Sequence, residues 1–164
     1  MHEGTGEDVA EESGLKTLKR GDVINGRYEI VRPLGDGMLG ATFLAKHMAS
    51  DKHVAIKFIH ARLVRNPKDR ERLESAFRAA KAVKHDGIIR YGELGNYEST
   101  VYFTQEYFKG QSLRELMNEY LAQGKAFTLQ ESCQLTIKIL EAIQCLHDED
   151  MVHRNIKPEN ILMR

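Results

Sequence analysis

Three short stretches hold most of the residues able to do chemistry. His153-Arg154-Asn155-Ile156-Lys157-Pro158-Glu159-Asn160 gathers an imidazole, two cations, a carboxylate and two amides near the C-terminal end. Gly35-Asp36-Gly37-Met38-Leu39-Gly40 fits G-x-G-x-x-G, in which residues lacking Cβ let backbone N–H groups close over phosphate oxygens. Val54-Ala55-Ile56-Lys57 ends in a cation that could meet such a phosphate from a neighbouring strand.

Alone, the glycine stretch is a weak signal, shared by dinucleotide-binding turns and by ordinary glycine-rich hairpins. In the dinucleotide motif the third glycine opens a helix, whereas here Ala41-Thr42-Phe43-Leu44-Ala45 continues with β-type residues. Asp51 lies near the spacing of a ribose-binding acid but sits between Ser50 and Lys52 and is more simply a turn residue. Lysines are usually solvated. In the alternation of its strand, however, Lys57 falls on the side of the small Ala55, opposite Val54 and Ile56, where a flat ring can lie against a sheet.

The elements that must position these groups follow from periodicity. Residues 1–26 are rich in Gly, Glu and Lys without apolar period, and are expected to be a flexible extension. Arg27 to Leu34, Ala41 to His47 and His53 to Ile59 alternate as three strands of a meander, with Met48 to Lys52 as a turn. Asn66, Pro67 and Asp69 mark a helix start in a capping-box arrangement, and Leu73, Ala76, Phe77, Ala80 and Val83 form the stripe expected to be buried. Ile88 to Leu94 and Val101 to Tyr107 are two further strands flanking a turn in GNYEST. Ser112 with Glu115, and Thr128 with Glu131, are capping boxes for two more helices. The second of these, 128–147, carries apolar residues around most of its circumference, the pattern of a helix covered on several sides. The division expected is an extension 1–26, a unit 27–108 and a unit 109–164.

Composition sets the outer bounds. The 24 basic and 24 acidic side chains of the 164 residues cancel, so no global field draws the chain to nucleic acid or to anionic lipid, and any phosphate site must be local. Glu3, Glu7, Asp8, Glu11 and Glu12 precede the first Lys or Arg, the opposite of a secretory leader, and no apolar run is long enough to span a bilayer. A cytoplasmic protein without membrane or nucleic-acid contact is expected. Cys133 and Cys145 fall in one helix roughly 18 Å apart, too far for a disulfide, and are expected as reduced core thiols.

GDGMLGAT, VAIK and HRNIKPEN, in that order, resemble the signature set of protein kinases over roughly Arg27 to Arg164. LVRNPKDRERLESAFRAAKAVKHDGIIRYGEL and VYFTQEYFKGQSLREL resemble the intervening segments of bacterial Ser/Thr kinases, and Lys157 within KPEN is similar to that class. The resemblance implies an α+β fold: a kinase-like N-lobe of five antiparallel strands and one helix, then the first helices and catalytic loop of a helical C-lobe. It implies ATP and Mg²⁺ as cofactors. Gly35, Gly37 and Gly40, with Leu34 and Asp36, would cover the phosphates, and Lys57 would contact the α- and β-phosphates. Thr42 and Ala55 would lie against the adenine, with Leu162 as floor. Glu106 carbonyl and Phe108 N–H would be the hinge contacts, and Gln105 stands at the gatekeeper position. Lys157 would approach the γ-phosphate, and Asn160 would coordinate Mg²⁺.

Three departures from that pattern oppose catalysis. Asn155 stands at the base position, where an amide can hydrogen-bond a hydroxyl but cannot accept its proton. The acidic partner of Lys57 falls, by the family's spacing, at Ala76, with Glu71 and Glu74 pointing away. No Asp-Phe-Gly occurs in the 164 residues, and Arg154 has no activation segment to meet. The preferred expectation is a degenerate Ser/Thr kinase that holds ATP weakly, transfers no phosphate and acts in signalling by binding. The alternatives are the N-terminal part of an active kinase, and a non-nucleotide interaction module using helix 128–147 to bind a protein partner.

Overall fold

The computed structural model describes residues 18–164, which divide into two compact units, one reaching Ala82 and resuming over Arg90–Tyr107, the other formed by Val83–Ile89 and Phe108–Arg164. The first seventeen residues of the expected extension lie outside the described residues.

The first unit is an antiparallel sheet of β1 (Val23–Ile24), β2 (Tyr28–Gly37), β3 (Gly40–His47), β4 (His53–Ile59), β5 (Tyr91–Tyr97) and β6 (Thr100–Glu106), in the order β1-β2-β3-β4-β6-β5. The five long strands are those expected. The sixth, β1, corrects the reading of residues 18–26 as flexible. Ile24 has no exposed surface and joins Tyr28, Ile30, Ala45, Ile56, Phe58 and Tyr102 in one core cluster, with Leu18 packed against it. One isoleucine pairing a two-residue strand leaves no periodicity to detect, yet its burial ties down the segment.

Strand β5 begins at Tyr91 rather than Ile88, because Ile88 N–H closes a turn on the His85 carbonyl and Val83–Ile89 goes with the other unit. The β5–β6 turn tightens to Glu98-Ser99, with Glu98 at φ 51°. The opposite face of the sheet holds a second cluster, Ile59, Phe77, Val101 and Phe103, and this is where α1 (Pro67–Ala82) packs. Asn66 caps α1 as expected: its Oδ1 accepts from Asp69 N–H at 3.0 Å, and Asp69 returns a contact to the Asn66 amide at 2.8 Å. The stripe is narrower than expected. Phe77 is the one buried residue of α1, Leu73 and Ala80 are half-buried, Ala76 is exposed, and the helix ends before Val83. Alanine matches a stripe by hydrophobicity but is too small to reach a partner.

The second unit contains α2 (Leu113–Ala122), α3 (Leu129–Asp148) and a two-stranded ribbon of β7 (Gln111–Ser112) and β8 (Leu162–Met163). Both capping boxes form: Ser112 and Thr128 accept from Glu115 and Glu131 N–H, and each glutamate accepts in return from the cap backbone. No residue of α3 is buried, and Leu129, Ile137 and Leu140 are more than half exposed. The cysteines are free, as expected, but Cys133 is exposed and Cys145 half-buried, so neither is a core thiol. Their helix lacks the cover that its apolar circumference led us to expect.

Candidate functional site

In the first unit the glycine stretch is the tip of the β2–β3 hairpin. Gly37 pairs with Gly40, and Met38 and Leu39 form the turn, 76% and 50% exposed. Gly40 must be glycine for two reasons. Its φ is 144°, and a Cβ there would collide with the Phe58 carbonyl of β4. Gly35 shares the unusual backbone, at φ 148°. Asp36 turns its carboxylate back to accept from Gly37 N–H at 2.9 Å. Leu34, Gly35, Asp36 and Gly37 are all exposed, so the outer side of the hairpin is open.

Lys57 lies opposite Thr42 on one side and Phe103 on the other, and Ala55 lies opposite Leu44 and Gln105. Ladder partners share a face, so Thr42, Ala55, Lys57, Phe103 and Gln105 line the α1 side of the sheet, while Ile56 and Phe58 point into the first core cluster. Burial pushes the Lys57 amine below the ordinary lysine range, and the charge of Asp36 partly restores it. Among the described residues no carboxylate lies within ion-pair distance of Lys57. Glu74, the nearest helix acid to the expected partner position, is held by Arg70 at 2.9 Å. Glu106 ends β6 with its side chain exposed and its N–H donated to Arg90, which leaves its carbonyl at the strand end. A desolvated cation beside a bare-backbone hairpin is chemically suited to an anion.

In the second unit, Phe108 is half-buried with the Arg164 guanidinium over its ring, 4.9 Å from the centroid. The loop 153–160 precedes β8. Arg154 takes φ 61°, which turns the chain so that Asn155 N–H donates to His153 Nδ1 at 3.3 Å. Asn160 Nδ2 donates to the Asn155 carbonyl at 2.8 Å, so the base-position residue and the residue expected on Mg²⁺ are brought together. Lys157 is exposed at the start of a 3₁₀ turn, Pro158–Asn160. Glu159, the one carboxylate of the loop, is bound by Arg114 at 2.9 Å, which holds its carboxyl below the usual range. Leu162 pairs with Ser112 and is 42% exposed.

The hairpin and Lys57 fit a nucleotide's phosphates. The fit to Mg²⁺ is poor. Among the described residues no group of three or more His, Cys, Asp or Glu could hold a metal ion, and a single amide oxygen is less than the one or two carboxylates such an ion usually takes. Sequence reasoning missed His60, which reaches beneath the hairpin from the end of β4. The only signal was a polar residue closing the apolar run His53 to Ile59.

The chain matches the protein kinase domain family model over residues 28–164 and belongs to the protein kinase family. Among curated relatives, it is 30% identical over 138 residues to CBL-interacting protein kinase 1 of Oryza sativa subsp. japonica, covering 84% of this chain and 29% of that protein. It is 31% identical to the serine/threonine-protein kinase PksC of Streptomyces coelicolor, covering 84% and 26%. With PrkC of Bacillus subtilis, also a serine/threonine-protein kinase, identity is 30%, covering 87% and 22%. The chain thus spans less than a third of these relatives' lengths. Its fold is similar to that of the Mycobacterium tuberculosis PknI kinase domain, with TM-score 0.76 at 20% identity, covering 90% of this chain and 59% of that one. The kinase-like α+β fold is the one expected.

Proposed function

We propose that this chain is a Ser/Thr-type kinase homologue that binds ATP through the hairpin 35–40 and Lys57, transfers no phosphate, and acts in signalling by binding. The observation that carries the reading is the absence of a carboxylate at the base position of loop 153–160. Asn155 is neutral, and Glu159 is occupied by Arg114. Supporting it, Lys57 lacks the acid that would fix its aim, and Ala76 offers none. Gly35 and Gly40 would contribute backbone N–H groups, Lys57 a charge, Thr42 and Ala55 a flat surface for the base, and the Glu106 carbonyl a hydrogen bond to it. ATP with Mg²⁺ would supply the anionic ligand. No described helix is long and apolar enough to cross a membrane.

The test is a pair of measurements. At Mg-ATP about tenfold above Kd, binding to the native state adds about 1.4 kcal/mol, a rise in Tm of about 3–6 °C. With radiolabelled ATP and generic protein substrates, no transfer above background is expected. Transfer that disappears in Lys57→Ala would overturn the inactive assignment, and no thermal shift would overturn nucleotide binding.

A second reading is favoured by the small share of its relatives that the chain spans: it is the N-terminal part of an active kinase in which Asn155 is tolerated. The chain extended by downstream sequence, carrying Asn155→Asp, should then phosphorylate protein. Inactivity of that protein would remove this reading.

A further inference from the structure

His60 is a titratable side chain, 1% exposed, that no step above uses. It sits immediately after β4, and two of its atoms make three contacts with the glycine hairpin. Its backbone N–H donates to the Leu39 carbonyl at 2.9 Å. Its Nε2 lies 3.2 Å from the Gly37 carbonyl and 3.4 Å from Asp36 Oδ1. Both partners of Nε2 are acceptors, so Nε2 must carry a proton. Its Nδ1 is buried with no hydrogen-bond partner among the described residues.

We propose that His60 is the positioning residue of the glycine hairpin, a latch that draws Asp36, Gly37 and Leu39 onto the end of β4 and so holds the phosphate-binding backbone in place before any ligand arrives.

The hairpin needs such a device. Its flanking glycines relax the backbone, its turn residues are exposed, and an unlatched tip would lose that freedom on binding. Gly40 admits the latch, because any side chain there would strike Phe58 and lift the hairpin from β4. Asp36, gathered by the same contact, is the carboxylate whose charge acts on Lys57. It thus supplies part of what Ala76 does not.

The consequence for nucleotide rests on the phosphate reading above, and the latch is tested separately from it. In the nucleotide-free chain, His60→Phe keeps a ring of similar size and removes the donor, while His60→Gln can return an N–H near Nε2. Amide exchange at residues 36–40 should quicken about three- to tenfold in His60→Phe and return toward wild type in His60→Gln. Unchanged exchange in a folded His60→Phe would overturn the latch. Should His60→Phe not fold, a long-range ¹⁵N histidine spectrum of the wild type decides: a proton on Nε2 supports the latch, and one on Nδ1 alone sinks it. ATP affinity should fall in His60→Phe by a similar factor while adenosine affinity stays level, since adenosine has no phosphate for the hairpin to hold. Equal losses for both ligands would show a general structural role and overturn the positioning role. A wild type that binds neither ligand would remove the nucleotide reading and leave the exchange result to judge the latch.

Discussion

Asn160 Nδ2 donates to the Asn155 carbonyl across 2.8 Å, so the two amides of the loop HRNIKPEN are tied to each other. The bond uses the donor half of the Asn160 amide and leaves the oxygen half unspent. Asn160→Asp puts a carboxylate against a carbonyl. That variant should lose about 0.5–1.5 kcal/mol of local stability, read as faster amide exchange over 155–160. Exchange equal to wild type would show that the bond does not order the loop.

Lys57→Met should abolish the Mg-ATP thermal shift and, without ligand, raise Tm by about 2–4 °C, because it removes a desolvated cation that lacks an ion-pair partner. The pH dependence has a definite sign. The folded pKa lies below the ordinary lysine value of 10.5, so in the window between the two the unfolded chain binds more protons, and stability rises with pH. Lys57→Met should flatten that rise in urea titrations. An identical alkaline profile would mean that Lys57 is solvated like any surface lysine.

Gly40→Ala should cost about 1–3 kcal/mol, since the new Cβ meets both a positive φ and the Phe58 carbonyl. Gly37→Ala meets nothing within 4 Å of the added atom and should cost under about 1 kcal/mol. Chemical denaturation of the two variants side by side checks the contrast, and equal losses would refute the account of Gly40.

The capping glutamates predict an acid limb. Hydrogen bonds from the Ser112 and Thr128 backbone, and then from their hydroxyls, hold the Glu115 and Glu131 carboxyls below the ordinary value of 4.5. A lowered folded pKa contributes stability above the unfolded value, and that contribution is lost as pH falls through the folded one. Glu115→Gln with Glu131→Gln should therefore be less steeply destabilised below about pH 4.5 than wild type. Acid denaturation followed by circular dichroism gives the comparison. Separately, Ser112→Ala should weaken α2 by about 1 kcal/mol.

Where a residue's role is local, it was legible. The caps at Asn66, Ser112 and Thr128 were readable because the bond spans only three residues. The face shared by Ala55 and Lys57 followed from the two-residue strand period. Ala76 was misplaced because a small apolar side chain satisfies a helical stripe without being buried, and the exposed Cys133 for the same reason. The short strand at Ile24 escaped because two residues carry no period. His60 left only the faint signal of a polar residue after a strand, because its partners lie more than twenty residues away in the chain.

By itself the sequence determined the family, the α+β class, the glycine hairpin and the strand lysine, since each resides in residue types at short spacing. Only tertiary structure decided which carboxylate acts on Lys57, which side chain holds the hairpin and which apolar residues go uncovered. Those outcomes depend on segments distant in sequence meeting at contact distance, and on side-chain size as well as polarity. Periodicity encodes neither.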